Sequence, residues 1–117
     1  MTKYKKEIGA WGEGIAADWL AERGCQIIAR NVRTPYGEID IIARQGDVTV
    51  FVEVKTLTSS LNFFPETNIT RAKQQHMLHA AQHYTAEHEI DHWQIDAIAV
   101  EGRPGSKPVV THFENAI

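Results

Sequence analysis

Residues 37–55, GEIDIIARQGDVTVFVEVK, decide the fold. Two runs rich in β-branched residues, Glu38 to Arg44 and Val48 to Thr56, flank the turn Gln45-Gly46-Asp47 and read as paired antiparallel strands. Side chains alternate between the faces of a strand. Val50, Val52 and Val54 therefore share one face, and Phe51, Glu53 and Lys55 share the other. In the preceding strand Glu38, Asp40 and Ile42 lie together. A hairpin through Gln45-Gly46 sets Glu38 opposite Glu53, and a pairing slid by two sets Asp40 opposite Glu53. Either register gathers carboxylates and an ammonium group on one patch of sheet. Like charges facing each other across strands are destabilising, and burial makes them more so. A hard divalent cation with oxygen ligands would resolve that conflict. The plain alternative is a half-exposed sheet carrying ordinary Glu–Lys surface pairs.

Outward from this hairpin, Ile8, Trp11, Ile15 and Trp19 recur at helical steps and predict a helix over Lys5 to Arg23, stopped by Gly24. Gln26 to Arg33 reads as a strand, followed by the turn Thr34-Pro35-Tyr36-Gly37. Residues 57–67 have no period and read as an exposed loop, with Phe63 and Phe64 available to a partner. A second helix begins at Thr70 and continues to about Glu87, with Met77, Ala80 and Tyr84 on its buried side. Strands over Trp93 to Val100 and Val109 to Phe113 complete the chain, which reads as one domain over residues 1–117. The order α-β-β-β-α-β-β predicts an α/β fold, a central mixed sheet flanked by helices.

The first helix carries a third carboxylate. Glu13 is surrounded at three and four residues by Gly9, Ala10, Ala16 and Ala17, so small neighbours would let it approach a sheet closely. Gly9, Gly12 and Gly14 each weaken that helix by about 1 kcal/mol relative to alanine, and close backbone approach is one reason to keep them. A solvent-facing Glu13 on a loosely packed helix is the alternative. The glycine pattern from Gly12 to Ala17 partly matches a dinucleotide-binding turn, but no strand precedes it.

Composition narrows the classes. The chain has 117 residues, 43% of them hydrophobic and 23% charged, as in a soluble globular domain. No apolar run suits a membrane span or a signal peptide, and the single cysteine, Cys25, cannot form an internal disulfide. The expected location is the cytoplasm. A net charge of -3 counts against a broad nucleic-acid surface, although a bound cation would offset part of it. Most basic residues fall in the first two-thirds. His76, His79 and His83 share one helix face, but structural zinc wants four ligands and no His-Glu-x-x-His pattern occurs, so a solvated face is the expectation.

Gly12-Glu13, Arg30-Asn31-Val32-Arg33, Gly37-Glu38-Ile39-Asp40, Phe51-Val52-Glu53-Val54-Lys55, Lys73 and the ending Glu114-Asn115-Ala116 resemble, in order and spacing, the YraN-like family of bacterial proteins. That family is related to archaeal Holliday junction resolvases and shares the restriction-endonuclease-like core of the PD-(D/E)XK nucleases. The resemblance implies a divalent-metal-dependent endonuclease acting on DNA, including branched DNA. Asp40, Glu53 and Lys55 would form the core motif, with Glu13 the helix-borne carboxylate. Asp40, Glu53 and the Val54 carbonyl would hold Mg²⁺ or Mn²⁺, with Glu13 engaged through water or a second ion. Lys55 would position the attacking water, Glu38 would support the ligands, and Arg30, Arg33 and Lys73 would meet the nucleic-acid backbone. A homodimer is implied as well; no organic cofactor and no membrane are. Two departures remove positive charge: Leu57 stands where relatives carry arginine, and Gln94-Ile95-Asp96 where they carry Arg-Phe-Asp. They keep open a second reading, a catalytically inactive nucleic-acid-binding or assembly module with the same fold.

Overall fold

The computed structural model describes residues 3–58 and 70–117. Its elements are α1 (Lys3–Glu22), β1 (Gln26–Thr34), β2 (Gly37–Gln45), β3 (Val48–Leu57), α2 (Arg71–Glu87), β4 (Trp93–Glu101) and β5 (Val109–Phe113). This is the expected order. The strands form one five-stranded sheet in the order β1-β2-β3-β4-β5. All neighbours are antiparallel except β3 and β4, which run parallel. A parallel pair needs a long crossover, and α2 lies within it.

Each helix covers one face of the sheet. Ala16, Ala17 and Leu20 of α1 pack on Ile41, Ala43, Val50, Val52, Ile98 and Val100. Ala80 and Ala81 of α2 pack on Ile39, Ile42, Phe51 and Ile95. Between them β4 is buried from Ile95 to Val100 without alternation, as expected of a strand covered on both sides. Trp11 and Trp19 join the α1 core, and Met77 and Tyr84 the α2 core, as the helical periods predict.

Local chemistry sets the boundaries. Gly24, at a φ of 88°, ends α1 while Gly24 N–H donates to the Ala21 carbonyl and Cys25 N–H to that of Leu20, the paired bonds of a Schellman cap. Thr70 is the N-cap of α2 rather than its first turn; its hydroxyl accepts from Lys73 N–H at 3.1 Å. Leu57, expected in a loop, extends β3 and pairs with Glu101 of β4. The rest of that expected loop, from residue 59 on and including Phe63 and Phe64, lies outside the described residues. Gly12 provides the close approach anticipated for the glycines: a Cβ there would fall on the Thr56 side chain of β3.

Candidate metal centre

The β2–β3 ladder runs from Gln45↔Val48 to Ile41↔Val52. Continued by one residue, that register sets Asp40 across from Glu53. Glu38 instead pairs with Arg33 of β1, so of the two registers open to the sequence the structure takes the one that joins Asp40 to Glu53. Alternation breaks here. Ile39 and Ile42 belong to the α2 core while Ile41 and Ala43 belong to the α1 core. Across the ladder, between Arg30↔Ile41 and Val32↔Ile39, Asn31 takes a left-handed φ of 53°. Such irregularities re-aim side chains. Asp40 turns toward β3, where its Oδ2 accepts the Val54 N–H at 2.8 Å.

The electrostatics follow from that placement. Burial first, then the Glu53 charge, with smaller pushes from Glu13 and a hydrogen bond to Glu53, raise the Asp40 carboxyl to about 8, and the Val54 N–H is too little to offset them. At neutral pH Asp40 therefore keeps its proton beside Glu53. Glu53 also has a cation beside it. Lys73 of α2 places Nζ 3.0 Å from Glu53 Oε1, with the Glu53 side chain only 12% exposed. Burial lowers the Lys73 pKa, but Glu53, Asp40 and Glu38 together outweigh it and hold the ammonium above its ordinary range.

Glu13 stands one step back. Its Oε1 lies 4.0 Å from the Arg30 guanidinium. The Asn31 amide, oriented to donate, reaches Glu13 Oε1 at 3.0 Å and Glu38 Oε1 at 3.1 Å. Burial raises the Glu13 pKa, Arg30 opposes it, and Glu38 and Glu53 add to the rise. In these side-chain positions Glu13, Asp40 and Glu53 do not bring three oxygens within 4.8 Å of one another. Lys55 is exposed, opens onto a groove that Glu13 also lines, and makes no ion pair with another described residue. Arg33 is exposed on β1. The structure thus joins Asp40, Glu53 and Lys73 directly, and Glu13, Arg30, Asn31 and Glu38 in an adjoining set. Asn31 was not anticipated as a member; the only hint was its place between two arginines beside Gly37-Glu38.

A second group of possible metal ligands lies elsewhere on the sheet. Asp96, His112 and Glu114 place ligand atoms within 4.8 Å of one another. Asp96 is 1% exposed, and its oxygens accept from Gln94 Nε2 at 2.8 Å, Asn115 N–H at 3.0 Å and His112 Nε2 at 2.7 Å. Trp19 Nε1–H in turn meets His112 Nδ1 at 3.4 Å. Asp96 was visible as an acid in an apolar strand, but no local pattern linked it to His112. His76, His79 and His83 belong to no such group among the described residues; His79 and His83 contact the Tyr36 ring edge-on.

Fold and site together define an α/β protein whose mixed sheet, where β2 and β3 part, presents paired carboxyls backed by lysine. Residues 12–100 match the uncharacterised protein family UPF0102, and the chain belongs to that family, the YraN-like proteins. It is 44% identical to the UPF0102 protein of Syntrophotalea carbinolica over 118 residues, covering 99% of this chain and 95% of that one. Identity is 43% to the Treponema pallidum protein, over 89% of this chain and 85% of that one. It is 45% to the Chloroflexus aurantiacus protein, over 90% and 88%. Among solved structures, Pyrococcus furiosus SfsA in complex with Ca²⁺ is similar with a TM-score of 0.37 at 15% identity. That match covers 91% of this chain and 61% of SfsA. No described helix is long and apolar enough to cross a membrane.

Proposed function

We propose that the chain is a divalent-metal-dependent endonuclease of the PD-(D/E)XK type, hydrolysing DNA phosphodiesters in branched or otherwise structured DNA. One observation carries this reading: Asp40 is set against Glu53, and burial together with the Glu53 charge keeps a proton on it near pH 7. Such a pair of hard oxygen donors fits Mg²⁺ or Mn²⁺. Asp40, Glu53 and the Val54 carbonyl would hold the ion, and Glu13 would support it through water. Bound there, the ion would supply an activated water and charge stabilisation for the phosphoryl group.

The chain's own groups have separable tasks. To serve as a ligand, Asp40 would release its proton to solvent. Val54 N–H keeps the Asp40 carboxylate oriented. Lys55 reaches the same groove as Glu13 and would hold the attacking water and offset charge growing on the phosphate. Arg30 and Arg33 would meet the nucleic-acid backbone. Lys73, expected from sequence to do the same, is engaged with Glu53 and would first have to leave it. A homodimer would suit a two-fold branched substrate.

The test is cleavage of linear, single-stranded and four-way junction DNA in Mg²⁺ or Mn²⁺, with Asp40→Ala and Glu53→Ala as controls. Activity lost in both variants supports the proposal. Activity surviving both comes from a contaminant, and its absence on every substrate favours the second reading, an inactive binding or assembly module. The Lys73–Glu53 pair favours that second reading, because a side-chain cation can replace the metal's charge.

A further inference from the structure

Gly9 has no explanation among the described residues. A glycine within a helix is less stable than alanine there, and Gly9 lies mid-helix in α1 without a left-handed φ. Gly12 is needed because Thr56 fills the space beside it, whereas a Cβ built on Gly9 meets no described atom within 4 Å. Among the described residues the surface at Gly9 is open, and two grooves meet there. One, of about 530 Å³, has Tyr4, Gly9, Glu13 and Lys55 in its walls. The other, of about 380 Å³, has Lys6, Gly9, Glu13 and Asn31. Gly14, which also has open space beside it, lines neither.

We infer that a nucleic-acid strand crosses α1 over Gly9, its sugar–phosphate backbone against the bare helix and running between the two grooves past Glu13. This path rests on the nuclease reading above. Charge selects the occupant: Lys55 borders one groove and Lys6 the other, suited to successive phosphates. Tyr4, 58% exposed beside the first groove, offers an aromatic plane for a base. Glu13 and, in the second groove, Glu38 would repel phosphate unless a cation is bound, so strand binding is tied to the metal.

The experiment compares Gly9→Ala, Gly9→Leu, Gly14→Ala and Gly14→Leu with the natural chain. Thermal unfolding is paired with fluorescence anisotropy of labelled single-stranded and four-way junction oligonucleotides in Ca²⁺ or Mn²⁺. Both alanine variants should melt higher. Gly9→Leu should weaken oligonucleotide binding about tenfold or more, and Gly14→Leu less than about twofold. Gly9→Ala should bind more weakly despite its raised melting point, a combination that a folding defect does not produce. If the natural chain binds or cleaves DNA and Gly9→Leu does so equally well, the path is wrong while the metal-dependent function stands. A natural chain that binds no oligonucleotide overturns the path and the DNA substrate together. Metal uptake at Asp40, read separately by Mn²⁺ stabilisation, then reports on the ion site alone.

Discussion

Asp40→Asn should make the metal-free protein more stable, and by an amount that depends on pH. In the unfolded chain Asp40 loses its proton near 3.8, while in the fold it keeps the proton to about 8. Between those values the native state binds one more proton than the unfolded state, so stability falls as pH rises. The Asp40 contribution is fully present below about 4, is lost through this window, and levels off above about 8. At about 1.4 kcal/mol per unit, folding with the proton retained costs up to about 4 kcal/mol at pH 7. Asparagine mimics the protonated acid: its oxygen can still accept Val54 N–H, and its amide can donate to Glu53. Relaxation around the pair lowers the recoverable share, so the expected gain is about 1–4 kcal/mol at pH 7 to 8, shrinking towards zero near pH 4. Urea unfolding followed by circular dichroism, with chelator present, measures this directly. Added Mn²⁺ should stabilise the natural chain and leave Asp40→Asn unchanged. If Asp40→Asn is destabilised equally at every pH, Asp40 is an ordinary ionised strand cap and the retained-proton reasoning fails.

Four further outcomes follow. Mn²⁺ uptake should release about one proton below pH 8, so its affinity should rise about tenfold per pH unit and then flatten, as calorimetry in two buffers will show. Lys73→Met removes the ammonium beside Glu53; metal-free stability should drop by about 1 kcal/mol or less, since Lys73 is half exposed, while titration should show tighter Mn²⁺ binding. Gly12→Ala should lose about 1–3 kcal/mol despite the better helix former, because the new methyl meets Thr56; denaturant unfolding gives the value. His112→Ala leaves one oxygen of buried Asp96 without its donor and should cost about 1–3 kcal/mol, with hydrogen exchange rising first at Asn115.

The sheet was legible because its strands are marked by β-branched runs and punctuated by Gly37 and Gly46, local signals that tertiary packing reinforced. Position Asp40 relative to Glu53 was only half legible. Two registers both satisfied the hydrophobic pattern, and the choice came from the Gln45↔Val48 closure of the hairpin. The kink that aims Asp40 was hidden, because a left-handed asparagine within a strand looks no different in sequence from one in a loop. Lys73 read as a free basic residue because nothing local shows that the first turn of α2 reaches Glu53. Leu57 read as loop because its partner, Glu101, lies far along the chain and lends it strand structure only in the assembled sheet.

Two aspartates on this one sheet separate structure from chemistry. Asp96 is almost wholly enclosed, yet three donors, from Gln94, His112 and Asn115, converge on it. Both oxygens that burial removes from water meet donors in the protein, and what results is a clamp holding β5 and the C-terminal residues to β4. Asp40 is less enclosed but receives one backbone donor and faces another carboxyl. A fold able to surround Asp96 with donors had the means to do the same for Asp40, or to place an apolar residue there. Holding an acid against a second acid lowers stability, and such a cost at a strand junction is what a site keeps when the missing charge arrives from outside. The same reasoning ranks the two candidate ligand groups. At Asp96 a metal would have to break three hydrogen bonds around an enclosed carboxylate, whereas at Asp40 and Glu53 it would replace a proton and displace the half-exposed Lys73 ammonium.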